Sequence, residues 1–259
     1  MARYQLTLAY DGTDFFGSQR QANKRTVQGD LEKALLSLGW TGRSVILSGR
    51  TDTGVHATGQ VVSVDLYWSH TEEDLVRALN AKLPDDMAVH QARMVHSAFH
   101  PRFDATSRCY RYRLFCQPLR HPVQERFAWR VWPEINPDLL AVAARHFTGK
   151  HDFSAFGSPT TPRGSTVRTV MKAGWAQVER DEWHFEVQAD AFLYRMVRRL
   201  VFVQVAVAQG KVPAEAIARS LAEPAAGRKR SEIPAGLAPA HGLTLVEVTY
   251  PTITESMGQ

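Results

Sequence analysis

The chain has 259 residues, 31 Lys and Arg against 26 Asp and Glu, a formal net charge of +5, and 44% apolar against 22% charged residues. Global disorder is excluded, and a chain this long buries enough surface to fold without a disulfide or metal staple. The positive surplus favours an anionic partner without naming one.

From the N-terminus, Arg3 to Tyr10 alternates, with Tyr4, Leu6, Leu8 and Tyr10 on one face, and predicts a strand. Thr26 caps a helix whose apolar positions Val27, Leu31, Ala34, Leu35 and Leu38 keep the helical period, and Gly39 ends it. Ser44 to Ser48 reads as a short buried strand and Gln60 to Leu66 as another. Thr71 starts a second helix with Glu72, Glu73 and Asp74 at its positive end. It stops at Pro84, and Met87 to Val95 is extended.

The second half runs in a loosely similar order. Ser107 to Cys116 is a strand, Pro137 to Phe147 a helix, and Val167 to Val178 with Glu182 to Ala189 a hairpin. Leu193 to Gln209 is a long helix, a shorter one follows Pro213, Gly227 to Gly242 is a loop, and Leu243 to Tyr250 closes the chain as a strand. Two α+β halves, 1–105 and 106–259, follow from that order. Cys109 and Cys116 lie too far apart on one extended strand to bridge. No leader-type segment opens the sequence, and the apolar stretch Leu200 to Ala208 falls short of the ~20 residues of a membrane span. A reducing, cytoplasmic setting without membrane attachment is the expectation.

Three stretches carry chemistry. Ser48 to His56 packs Arg50 and Asp52 between glycines, two residues apart, so an extended backbone turns both side chains to one side. A guanidinium there would orient an ionised carboxylate suited to act as a nucleophile. Equally, Asp52 could cap its own turn with Arg50 as a surface partner. In the strand 107–116, Tyr110 and Tyr112 share one face and Arg111 and Arg113 the other, a pattern for stacking bases and meeting phosphates, or for a core face and a solvated face. On the helix 193–209, Arg195, Arg198 and Arg199 form a basic stripe, either a phosphate grip or a solvated face. Arg20, Lys24 and Arg25 and the run Arg228-Lys229-Arg230 add positive charge that only folding can gather. No metal-ligand spacing and no phosphate-binding Gly loop occurs, so no metal and no cofactor are expected.

Together the blocks YDGTDFFGSQRQ, TVQGDLEKAL, SGRTDTGVHATGQV, ALNAKLP, FHPRFDATSRCYRYRL, FTGKHDFSAF, FLYRMVR and APAHGLTLVEVTYP resemble the tRNA pseudouridine synthase A family, in its order and along nearly the whole chain. The resemblance implies isomerisation of uridine to pseudouridine at positions 38–40 of the tRNA anticodon stem-loop, without cofactor or metal. It places the family aspartate on Asp52, its arginine on Arg50 and its active-site tyrosine on Tyr110. The arginine of its MVR motif falls on Arg198 and the apolar liner of the uracil pocket on Leu245, and Arg20 joins the substrate-binding set. It further implies an α+β fold of two ferredoxin-like-order halves sharing one mostly antiparallel sheet, helices on one face, a basic cleft between the halves, and a homodimer that binds tRNA. The chain departs from the family after MVR, where Arg199 and Val201-Phe202 replace an Asn and a Val-Gly pair.

Overall fold

A computed structural model describes residues 1–222 and 232–251. The basic run Arg228-Lys229-Arg230 lies outside them.

In chain order the elements are β1 (Ala2–Tyr10), α1 (Val27–Ser37), β2 (Ile46–Leu47), β3 (His56–Leu66), α2 (Glu72–Asn80), β4 (Met87–Val95) and β5 (Ser107–Cys116). There follow β6 (Trp129–Val131), α3 (Pro137–Arg145), β7 (Gly149–Asp152), β8 (Val167–Glu179), β9 (Glu182–Ala189), α4 (Met196–Ala208), α5 (Glu215–Ala222) and β10 (Leu243–Thr249). The helix ends follow local chemistry. The Thr26 hydroxyl accepts from the Gly29 N–H, and Thr71 and Asp74 form a reciprocal capping box.

All ten strands form one sheet in the order β4-β1-β3-β10-β5-β9-β8-β7, with β2 on β3 and β6 on β5. Pairing is antiparallel except at β10–β3 and β5–β6. This is the expected α+β class with a continuous, mostly antiparallel sheet. β10, the last strand among the described residues, slots between β3 and β5 with Leu245 level with both Ala57 and Tyr110. The join also explains why β3 starts four residues earlier than its alternation predicts. Its glycine-containing opening has no apolar pattern, yet a Cβ on Gly59 would lie 2.2 Å from the Val246 carbonyl oxygen, so only glycine admits the β10 backbone there.

Other boundaries moved for similar reasons. The 44–48 segment pairs over Ile46 and Leu47 only, and Ile46 is exposed, so the buried strand expected there is a two-residue edge. Helix α4 begins at Met196 rather than Leu193, because Arg195 sits at φ +61 and interrupts the helical backbone. The 107–116 strand keeps its alternation, but its arginines do not form a stacking surface. Arg111 meets Glu186 at 2.7 Å and Arg113 meets Glu182 at 2.8 Å across the β5–β9 pair. The family departures also find a role. Phe202 lies parallel to Trp129 with ring centroids 6.4 Å apart, and Gly236 sits against its edge. Arg199 donates to the carbonyls of Pro234 and Gly236 and so pins that segment.

Candidate active site

The loop between β2 and β3 is held from beneath. Gln60, fully buried, donates to the Gly49 carbonyl at 3.0 Å and accepts from the Ser48 hydroxyl at 2.7 Å. Thr51 is gripped at three atoms: its N–H donates to the Ser18 hydroxyl at 2.8 Å, its carbonyl accepts from the Ser18 N–H at 3.1 Å, and its hydroxyl lies 2.9 Å from the Tyr10 hydroxyl. The turn itself closes through backbone, Val55 N–H to the Asp52 carbonyl at 3.1 Å, with Gly54 at φ +77. His56 anchors the far side. Its Nδ1 accepts from the Gly12 N–H at 2.9 Å, so the proton sits on Nε2, which donates to the His241 carbonyl at 3.0 Å. Burial keeps this imidazole neutral by pushing its pKa down.

Gly17 stands beside this loop at φ +88, where a Cβ would lie 2.8 Å from the Thr51 carbonyl oxygen. Gly17→Ala is therefore expected to lose about 1–2 kcal/mol from the left-handed backbone alone, with the clash against Thr51 added. A urea melt reads this loss; an unchanged midpoint would show that the loop yields at no cost.

Because the backbone closes the turn, the Asp52 carboxylate is free to face outward, and the turn-capping reading falls away. Its Oδ2 accepts from Arg198 Nη1 at 3.1 Å, both side chains being partly buried. Arg198 is itself held, since its Nε donates to the Ala238 carbonyl at 2.8 Å and its carbonyl accepts from the Ala238 N–H at 3.1 Å. The strap carrying Ala238 is clamped in turn by the Tyr112 hydroxyl, which donates to the Pro239 carbonyl at 2.8 Å. A planar guanidinium fixed at two points leaves the carboxylate little rotational freedom.

Tyr110, on β5, faces the same cavity, its ring edge-on to Phe192 at 5.0 Å. Burial pushes its phenol pKa up, and the neighbouring Asp52 carboxylate adds to the rise, so the group stays a neutral O–H donor. The cavity is an open cleft of about 1070 Å³. Arg50, Arg102, Arg108, Arg168, Arg195 and Arg198 line it, and Asp52 is its one acidic residue among the described residues. Such an arrangement concentrates polyanions around a single carboxylate.

The expected site residues fare unequally. Asp52, Tyr110 and Arg198 come together, although Asp52 and Arg198 are 146 residues apart. Arg50 lines the cleft but is exposed, and no ion pair joins it to Asp52; the guanidinium expected from Arg50 is supplied by Arg198 instead. Arg20 turns away, with its guanidinium on Glu32 at 2.7 Å and on the Arg43 carbonyl at 3.3 Å. Leu245 is fully buried in the sheet, and Leu243, two residues earlier on β10, reaches the cleft wall. Of the arginines on the 193–199 stripe, Arg195 and Arg198 reach the cleft.

Arg102, Phe103 and Arg168 were missed because they sit on loops or strand ends remote from Asp52. Arg108 had a signal, since it shares strand parity with Tyr110. Its guanidinium clips the Asp190 carbonyl at 2.8 Å and the Ser48 carbonyl at 3.3 Å, tying β5 to the loop that carries Asp52. Among the described residues no three His, Cys, Asp or Glu side chains cluster to hold a metal, and no helix is long and apolar enough to cross a membrane.

Comparison with known proteins accords with this geometry. A family model described as tRNA pseudouridine synthase matches residues 7–104 and 143–251. A protein of Chloroflexus aurantiacus named tRNA pseudouridine synthase A is 40% identical over 257 residues, spanning 97% of this chain and 90% of its own. Its namesake in Solidesulfovibrio magneticus is 44% identical over 256 residues, spanning 96% and 92%. A solved Cbf5-Nop10-Gar1 complex aligns with 78% of this chain and 45% of its own at 10% identity, with a TM-score of 0.34, too low to carry weight. With Asp52, Tyr110 and Arg198 gathered in an arginine-lined cleft and a family model spanning both halves, the chain belongs to the tRNA pseudouridine synthase family.

Proposed function

We propose that the protein converts uridine to pseudouridine at positions 38–40 of the tRNA anticodon stem-loop, using Asp52 and no cofactor. The observation that carries this reading is the Asp52 carboxylate held by Arg198 at 3.1 Å in a cleft that six arginines help to line. The bond from ribose C1′ to uracil N1 breaks, the base turns, and C1′ joins C5. C5 gives up its proton and N1 takes one, so atoms and electrons balance within the nucleotide and the solvent. Asp52 attacks C1′ or C6, or removes a ribose proton; every route requires the carboxylate at a fixed place, and the hydrogen bond from Arg198 supports that placement.

The target must first leave its stack, at a cost of a few kcal/mol offset by backbone contacts. Arg50, exposed beside Asp52 and free of that carboxylate, is assigned to the displaced strand. Tyr110 packs on the everted uracil, and its neutral hydroxyl relays the C5 proton, passing its own proton to solvent as it receives that one. The first half, 1–105, supplies the aspartate loop and the second, 106–259, the tyrosine and Arg198, so neither half works alone. Action as a cytoplasmic homodimer belongs to the same proposal and rests on family likeness.

Incubation with unmodified anticodon stem-loop RNA followed by pseudouridine mapping tests reaction and position together; no pseudouridine at those positions would overturn the assignment. Salt supplies a second test. Arg108, Arg168 and Arg198 are committed to protein carbonyls or to Asp52, which leaves Arg50, Arg102 and Arg195 as the cleft cations available to phosphates. Three such contacts imply an affinity loss of about 20- to 40-fold between 50 and 200 mM salt. A flat titration would instead favour a small substrate bound by Asp52.

A further inference from the structure

Among the described residues three exposed aromatic rings line the cleft, Phe16, Phe103 and Tyr194, and Phe103 is the most exposed of them. It is 75% exposed on the wall of the arginine-lined cleft, yet its ring is not loose. It stacks on His100 with centroids 4.2 Å apart and planes 29° from parallel. Single exposed apolar residues are ordinary on protein surfaces. An exposed ring with one face already stacked and its turn pinned is less so.

The pinning is extensive. The His100 N–H donates to the Asp104 carboxylate at 2.8 Å, and the Asp104 N–H returns to the His100 carbonyl at 3.0 Å. His100 Nδ1 accepts from the N–H groups of Arg102 and Phe103 at 3.2 and 3.3 Å. Outside the turn, the Tyr250 hydroxyl donates to the Pro101 carbonyl at 2.7 Å, and Arg108 donates to the Arg102 carbonyl. The chain thus holds a flat apolar face still, toward solvent, with the Arg102 guanidinium 5.9 Å from the ring centroid. A preorganised aromatic face beside a cation fits a nucleobase joined to phosphate, and the stack is indifferent to which base it is.

We infer that Phe103, backed by His100, is a stacking site for an unpaired purine or pyrimidine of the RNA neighbouring the everted uridine. The inference rests on the reading of the cleft as an RNA site. It makes Phe103 a binding residue and not a catalytic one, since Asp52, Tyr110 and Arg198 do the chemistry.

The test uses Phe103→Ala, Phe103→Leu and Phe103→Trp in the full chain with anticodon stem-loop RNA. Ala and Leu are expected to weaken binding by about 5- to 100-fold, and Trp to bind at least as tightly as the native chain. The logarithmic salt slope stays unchanged because no charge is removed, whereas Arg102→Ala reduces it by about one phosphate's share. Single-turnover rates at saturating RNA stay within about twofold in all three, consistent with a role confined to binding. Native affinity in Phe103→Ala overturns the inference, and so does full rescue by Phe103→Leu, which would make the contact apolar bulk and not ring stacking. Failure of the native chain itself to make pseudouridine would strike the underlying functional reading, a separate result visible in the same assay. High exposure makes loss of folding an improbable confounder, and a thermal melt of each variant checks it.

Discussion

Asp52→Asn is expected to lower the single-turnover rate of pseudouridine formation by at least about 10⁴-fold, some 5.5 kcal/mol of barrier. RNA affinity should stay within about threefold. Asparagine is the informative choice because its side-chain oxygen still accepts from Arg198, whereas alanine would strand that guanidinium. The loop does not depend on the carboxylate, since Ser18, Tyr10 and Gln60 hold its residues and a backbone bond closes the turn. Loss of turnover with an unchanged melting temperature would therefore report chemistry. Turnover near the native rate would remove Asp52 from the mechanism.

The second large effect falls on Arg198. Arg198→Ala leaves a partly buried carboxylate unpaired and frees it to rotate, and misplacement of about 1 Å at a reacting group costs on the order of 10²-fold in rate. We expect a rate loss of about 10²- to 10³-fold at saturating RNA, with some loss of stability because the Ala238 carbonyl also loses its donor. Arg198→Lys should recover only part of the rate, since one ammonium cannot reach the Asp52 carboxylate and the Ala238 carbonyl in the same geometry. Arg50→Ala provides the contrast. Exposed and unpaired with Asp52, it should act chiefly on RNA affinity and the salt slope, leaving the step at saturation closer to native. If Arg50→Ala proved the more damaging at saturating RNA, the roles assigned to the two arginines would be reversed.

Both arginines show where pattern reading stops. Arg50 looks like the partner of Asp52 because it is two residues away, and an extended chain would align the pair. The loop is not extended there. It turns at Asp52 and Gly54, so one side chain is sent to Arg198 and the other to solvent. Likewise Leu245 and Leu243 are equivalent by alternation, and only the seating of β10 between β3 and β5 buries the first and leaves the second on the cleft wall.

What the sequence determined unaided is whatever is local. Period-two alternation marked β1 and β5, helical spacing with Thr26 and Thr71 caps marked α1 and α2, and the motif blocks pointed to the family. Short elements such as β6 and β7 went unread, because three or four residues carry too little pattern and owe their pairing to a neighbouring strand. The tertiary structure alone decided that β10 would slot between β3 and β5, and that an arginine far along the chain would meet Asp52. It also turned scattered loop arginines and one pinned phenylalanine onto a single wall. Those outcomes depend on sheet register and on which side of a turn a side chain leaves, and residue spacing along the chain encodes neither.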